Sequence, residues 1–226
     1  MIFLLVNDDG IEAPGLAALE RIARTLGDVV VVAPDGERSS GGHTVTKDRA
    51  IRVETVGPAR FRVHGTPADC ARLGVTALAP DAAWVLAGIN AGANLGADVP
   101  MSGTVAAVHE AARLGRPGMA ISQLISGPID WEVAGANAAR ALEDLLACEI
   151  PPHAFWNVNL PDSLRGPVHE PPAQVPLDPG PHQVLYRCDG DHYVFEGRWE
   201  RRPVVRGCDV EACFAGRITA TLLRTG

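Results

Sequence analysis

The sequence predicts an α/β fold built on a mostly parallel sheet. Short continuous apolar runs at residues 1–6, 28–34 and 83–89 have the length and β-branched content of buried strands. Helical stripes separate them, and the opening strand–helix–strand order is a βαβ unit with an expected right-handed crossover. At 226 residues the chain can bury a substantial core in one domain.

Each element follows in order. Residues 1–6 form the first strand. Residues 15–26 carry apolar side chains at Leu16, Leu19, Ile22, Ala23 and Leu26, a helical stripe closed by Gly27. Residues 28–34 are the second strand, followed by a polar, glycine-rich loop over 35–43. Short, more exposed strands are expected within 44–64. Thr66-Pro67-Ala68-Asp69 is a helix start, with a threonine cap, proline at the first position and an acid in the first turn. Residues 83–89 form the third core strand, ending in Asn90. Ser102 opens a helix through Leu114, 117–122 is the fourth strand, 129–148 a long alanine-rich helix and 154–160 the fifth strand. Residues 161–182 hold seven prolines and read as an extended excursion or arm. Residues 183–196 suit a hairpin turning at Asp189-Gly190, and 216–223 is the last strand.

A formal net charge of −7 and a pI near 5.5 exclude a broad basic surface for duplex nucleic acid. The five cysteines make neither an even set nor a C-x-x-C motif, so they read as cytosolic thiols. The first apolar run stops at Asn7, too short for a signal peptide or membrane span, which leaves the cytoplasm as the expected location.

The chemistry lies in three loops that follow three strands. Asn7-Asp8-Asp9-Gly10 ends the first strand, where open α/β sheets place their ligands. Two carboxylates about 4 Å apart repel by roughly 4 kcal/mol at an effective dielectric of 20, and a divalent cation is the simplest compensation. The second loop offers Ser39 and Ser40 beside Gly41-Gly42. The third, residues 88–96, offers Asn90 and Asn94 and leads to Ser102-Gly103-Thr104 at a helix start. Carboxylate, hydroxyl and amide oxygens suit Mg²⁺ or Mn²⁺ and poorly suit zinc or copper. The N–H groups at Ser102-Gly103-Thr104 form an anion site. A metal beside a phosphate cradle points to phosphoryl chemistry.

The runs NDDG at 7–10, APDGERS at 33–39, GHT at 42–44, GTPADC at 65–70, GINAGANLG at 88–96 and SGTVAA at 102–107 together resemble the SurE family. More loosely, Asp209, Ala212 and residues 216–222 resemble its last strand. The resemblance implies a metal-dependent 5′/3′-nucleotidase, acting on nucleoside monophosphates and extending to short polyphosphate. It implies one divalent ion per subunit, Mg²⁺ or Mn²⁺, held by Asp8, Asp9, Ser39 and Asn90, and a phosphate site near Asn94 and Ser102-Gly103-Thr104. It further implies a Rossmann-like three-layer sandwich with a projecting C-terminal arm, assembled as a homodimer or homotetramer. Residues 1–160 are then the catalytic core; 161–226 supply the arm, hairpin and last strand of the same domain. The chain departs from the pattern in the Ser40-Gly41 that follows Ser39, in the prolines of 161–182, and in ending after the last strand where relatives carry a helix.

Plainer readings compete. Asp-Asp-Gly alone is commonly an exposed turn, Asn90 a turn cap, and Asn94 and Ser102–Thr104 structural caps. His43 is either a solvated loop residue or a contact to substrate or ligand. Thr66 and Asp69 serve as caps, His109 reads as structural, and Trp84, Trp131, Trp156 and Trp199 as packing groups. A phosphorylated receiver domain needs an aspartate where Asn90 stands; a covalent-aspartate phosphatase needs Asp-x-Asp; a dinucleotide oxidoreductase needs G-x-G-x-x-G after the first strand. A non-catalytic nucleotide-binding module keeping the metal site is the alternative from another class. In the hydrolytic reading Asp8 or Asp9 takes a proton from the attacking water.

Overall fold

The computed structural model describes residues 1–38, 41–181, 184–196 and 203–226. A nine-stranded sheet has the order β3-β4-β2-β1-β5-β6-β7-β11-β8. Its strands are β1 (Ile2–Val6), β2 (Asp28–Pro34), β3 (Val53–Gly57), β4 (Arg60–Val63), β5 (Trp84–Ala91), β6 (Gly118–Gln123), β7 (Ala154–Leu160), β8 (Ala173–Gln174) and β11 (Thr219–Arg224). β4, β2, β1, β5, β6 and β7 run parallel; β3 and β11 pair antiparallel with β4 and β7. A separate hairpin pairs β9 (Tyr186–Asp189) with β10 (His192–Phe195).

Strand alternation sorts the core into two layers. Phe3 and Leu5 of β1 point to α1 (Pro14–Leu26) and α4 (Trp131–Leu145), meeting Leu16, Leu19, Ala138 and Leu142. Leu4 and Val6 point the other way, to α2 (Pro67–Leu73) and α3 (Gly103–Arg113), meeting Cys70, Ala71, Val105 and Val108. The result is the three-layer sandwich expected from the sequence.

Four differences have physical causes. The long helix begins at Trp131, not 129, because the Asp130 carboxylate takes the N–H groups of Glu132 and Val133. Within 44–64 only β3 and β4 are strands, while Thr46 is tied to Asp69 through its N–H and hydroxyl. Asp69 thus anchors a loop besides forming the capping box with Thr66. The proline-rich stretch is no free arm: Ala173–Gln174 pair with Thr219 and Ala220 at the sheet edge, where prolines are tolerated. In the hairpin, Asp189 pairs with His192, so Gly190-Asp191 form the loop and Asp189 closes the strand. A short helix α5 (Asp209–Phe214) precedes the last strand and was not predicted. Among the described residues no helix is long and apolar enough to cross a membrane.

Candidate active site

β2, β1 and β5 are adjacent and parallel, so the three oxygen-rich loops leave one edge of the sheet together. The first turn is closed by Asn7, whose Nδ2 donates to the Gly10 carbonyl at 2.8 Å. Gly10 adopts φ +102°, and a side chain there would press on the Gly36 backbone. The Arg38 N–H donates to the Asp8 carbonyl at 2.7 Å, joining the second loop to the first. The Ala91 N–H donates to Asp9 Oδ2 at 3.2 Å, joining the third. All three loops therefore converge on the acid pair.

α3 supports that pair from below. The Thr104 hydroxyl donates to Asp8 Oδ1, with both residues buried. Only glycine fits before it, since a Cβ at Gly103 would lie 2.8 Å from Asp8 Oδ2. Burial pushes the Asp8 carboxyl above the ordinary carboxylate range, against the opposing hydrogen bonds from Thr104. Burial likewise raises Asp9 to about 6, opposed by the Ala91 N–H and reinforced by the charges of Asp8 and Glu37.

The Asn90 amide donates to the Gly92 carbonyl at 2.6 Å. A carbonyl only accepts, so this bond fixes the amide with its oxygen outward. A shift in β5–β6 pairing between Ala87 and Asn90 marks a bulge, which re-aims this strand end. Asp9 Oδ1 and Asn90 Oδ1 thus remain without a hydrogen-bond partner among the described residues, while the backbone N–H groups of Asp8 and Thr104 also favour the Asp8 carboxylate. Asn7 Oδ1 is a further buried oxygen without a partner. Among the described residues no group of three or more His, Cys, Asp or Glu is placed to hold a metal ion, so an ion at the acid pair would need neutral oxygens to complete its shell. Two carboxylates and neutral oxygens fit a hard divalent cation. Ser39 lies outside the described residues.

The expected substrate contacts are distributed differently. Thr104, expected at substrate, has its hydroxyl on Asp8 instead. Ser102 caps α3, its Oγ accepting from the Val105 N–H at 3.1 Å. Asn94 is knotted into the sheet: its N–H donates to Asn159 Oδ1 at 2.8 Å, and its carbonyl accepts from Asn157 and Asn159. Its Nδ2 meets the Ser122 hydroxyl at 2.7 Å. Because that hydroxyl can donate or accept, the Asn94 amide can turn its N–H outward without losing the bond. His43 is no solvated loop residue: its Nε2 lies 2.7 Å from Glu110 Oε2, and the Arg72 Nε donates to Glu110 Oε1 at 2.6 Å.

Not anticipated from the sequence are the supports Glu110, Arg72, Ser122, Asn157, Asn159 and Asp209, and the nearby charge of Glu37. Glu110 carried a usable signal as an acid inside the apolar run 105–112 of a helix. Asp209 is fully buried and takes the N–H groups of Gly96, Asp178 and Val210, tying α5 to the third loop.

A mostly parallel α/β sheet with an acid pair and an amide oxygen at its carboxyl edge defines a Rossmann-like α/β class whose ligands bind at that edge. The chain belongs to the SurE family: residues 3–174 match "Survival protein SurE". A Synechocystis relative is 45% identical over 228 residues, covering 99% of this chain and 100% of its own. The 5′-nucleotidase SurE of Paramagnetospirillum magneticum is 43% identical, over 97% of this chain and 88% of its own. The crystal structure of the SurE protein from Aquifex aeolicus superposes with a TM-score of 0.87 at 31% identity, covering 100% of this chain and 94% of that one.

Proposed function

We propose that the chain hydrolyses nucleoside 5′-monophosphates to nucleoside and phosphate, using one divalent ion, Mg²⁺ or Mn²⁺, held by Asp8, Asp9, Ser39 and Asn90. The observation that carries this reading is the convergence of three loops on the acid pair through the Arg38 and Ala91 N–H groups. The nucleotidase names of relatives sharing two-fifths or more of the sequence support the substrate class.

When bound, the ion supplies charge neutralisation at the phosphoryl oxygens and a more acidic water. Thr104 holds Asp8 in one orientation. Asp9 is the more open of the two, only half-buried, and in this reading it takes the proton from the attacking water. Asn94, with its amide N–H turned outward, and the Gly103 backbone receive phosphate oxygens. A general base contributes about 10²–10⁴-fold, far below the accelerations near 10²¹ reached for phosphomonoesters, so electrostatics supply most of the effect. The same site admits 3′-monophosphates and short polyphosphate.

Two further proposals accompany this reading. All five cysteines are free thiols, which supports a cytoplasmic enzyme. The exposed Tyr186, Tyr193, Val194 and Phe195 of the hairpin support self-assembly as a dimer or tetramer.

The test is phosphate release across a panel of 5′- and 3′-nucleotides with Mg²⁺, Mn²⁺ or chelator. Metal-dependent release that chelator abolishes is expected. Nucleotide binding without release under any metal would overturn the assignment in favour of a binding module.

A further inference from the structure

β7 is buried along its whole length, yet it carries asparagine at 157 and 159. Strands covered on both faces ordinarily read as continuous apolar runs, and a buried amide is costly unless its hydrogen bonds are met. The two residues stand at i and i+2, so they share the face that Phe155 turns to Val105 and Val108 of α3. Along the sheet, register sets Asn90 of β5, Ser122 of β6, Asn159 of β7 and Thr219 of β11 side by side. A polar row therefore crosses four strands at the carboxyl edge, and it starts at Asn90.

Its target is Asn94. The Asn94 N–H donates to Asn159 Oδ1 at 2.8 Å, and Asn159 Nδ2 donates to the Asn94 carbonyl at 3.0 Å. One side-chain amide thus pairs with both polar groups of a loop residue, as a neighbouring strand would. Asn157 Nδ2 donates to the same carbonyl at 2.9 Å. The Asn94 side chain is held in turn, its Nδ2 lying 2.7 Å from Ser122 Oγ. Backbone and side chain are both set from β6 and β7, strands that carry neither aspartate. Asn90 is held differently, by the Gly92 carbonyl of its own loop, while the adjoining Ala91 N–H goes to Asp9. The two ends of the third loop therefore have separate supports.

We propose that Asn159 and Ser122 are positioning residues for phosphate, which act through Asn94 and leave metal affinity untouched. This rests on the nucleotidase reading, in which Asn94 receives a phosphate oxygen. It gives a reason for amides in a strand buried on both faces: they hold a loop that has no strand partner of its own.

The test is a cycle of variants read with two ligands, inorganic phosphate by calorimetry on the Mg²⁺-loaded chain and Mn²⁺ by electron paramagnetic resonance. Asn159→Ser shortens the amide without adding charge, and Ser122→Ala removes the partner of the Asn94 side chain. Phosphate affinity is expected to fall about 10-fold in the first and about 3-fold in the second. Mn²⁺ affinity stays within about twofold of wild type in both. In an Asn94→Ala background, which keeps the peptide and removes the amide, neither substitution lowers phosphate affinity further. A merely structural role would persist there. Undiminished losses in that background, unchanged phosphate affinity in Asn94→Ala itself, or Mn²⁺ affinity falling in parallel overturn the proposal, as does a wild-type chain that binds no phosphate. A chain that binds phosphate but releases it from no ester would overturn the nucleotidase reading, while the cycle would still decide the positioning role. Should Asn159→Ser fail to fold, Ser122→Ala carries the cycle.

Discussion

At the carboxyl edge of β1, buried and half-buried polar groups are matched to protein partners: Asp8 to Thr104, Asp9 to Ala91, Asn94 to Asn157, Asn159 and Ser122. In the β9–β10 hairpin every strand residue is exposed, including Tyr193 at 71% and Phe195 at 52%. The two regions differ in what surrounds their side chains. The edge holds carboxylate oxygens short of positive charge. The hairpin holds aromatic side chains short of apolar cover, and a two-stranded hairpin has marginal stability alone. The two regions thus differ in kind: a small cation is what the proposed function asks of the first, and a protein surface is what it asks of the second.

The largest effect is expected at the edge's internal partners. Thr104→Val keeps the shape of the side chain and removes the donor to Asp8. It is expected to weaken Mn²⁺ binding about 10- to 100-fold, read from the free-Mn²⁺ signal in electron paramagnetic resonance. An unchanged affinity would mean Thr104 does not orient Asp8.

Asp209→Asn replaces an acceptor of three backbone N–H groups with an amide that turns a donor on one of them. A loss of about 1–3 kcal/mol in urea unfolding is expected, with weakened phosphate release as the third loop loosens. Full stability would show that α5 does not brace the loop.

Acidity gives the next effect. Asp9 lies near 6 in the folded chain against an ordinary value of 3.8, so the metal-free fold binds more protons than the unfolded chain between those values. Its contribution to stability is present below 3.8 and is lost as pH rises through about 6. A cation displaces that proton, so Mn²⁺ affinity is expected to fall about tenfold per pH unit below 6. Isothermal titration at pH 5 and 7 checks the sign; equal affinities would contradict it.

The smallest effect on the fold belongs to the hairpin. Tyr193→Ser with Phe195→Ser should change unfolding of the single chain by no more than about 0.5 kcal/mol. The same pair should shift sedimentation towards monomer. A large loss of chain stability would place the hairpin against its own core.

Legibility in the sequence followed locality. β1, β2 and β5 were readable because each is a continuous apolar run, and α2 because Thr66, Pro67 and Asp69 stand within four residues. The meeting of Asp8 and Asp9 with the Asn90 loop at one sheet edge was readable because those residues lie near glycines at strand ends. Their supports were not. Thr104 meets Asp8 across 96 positions, His43 meets Glu110 across 67, and Gly96 meets Asp209 across 113. Nothing in a local window encodes such pairs. β8 is two residues among prolines, and α5 is six residues long, both below what periodicity resolves. The Asp209 and Glu211 acids in its first turn were the one available sign.

In the proposed function Asp8 and Asp9 form a single hard-metal site. Its most direct measurement is a Mn²⁺ titration of the wild-type chain beside an Asp8→Asn, Asp9→Asn double variant whose circular dichroism confirms the fold. One ion per wild-type chain and none on the variant is the predicted result. Undiminished binding by the variant, or no binding by the wild type, would contradict it.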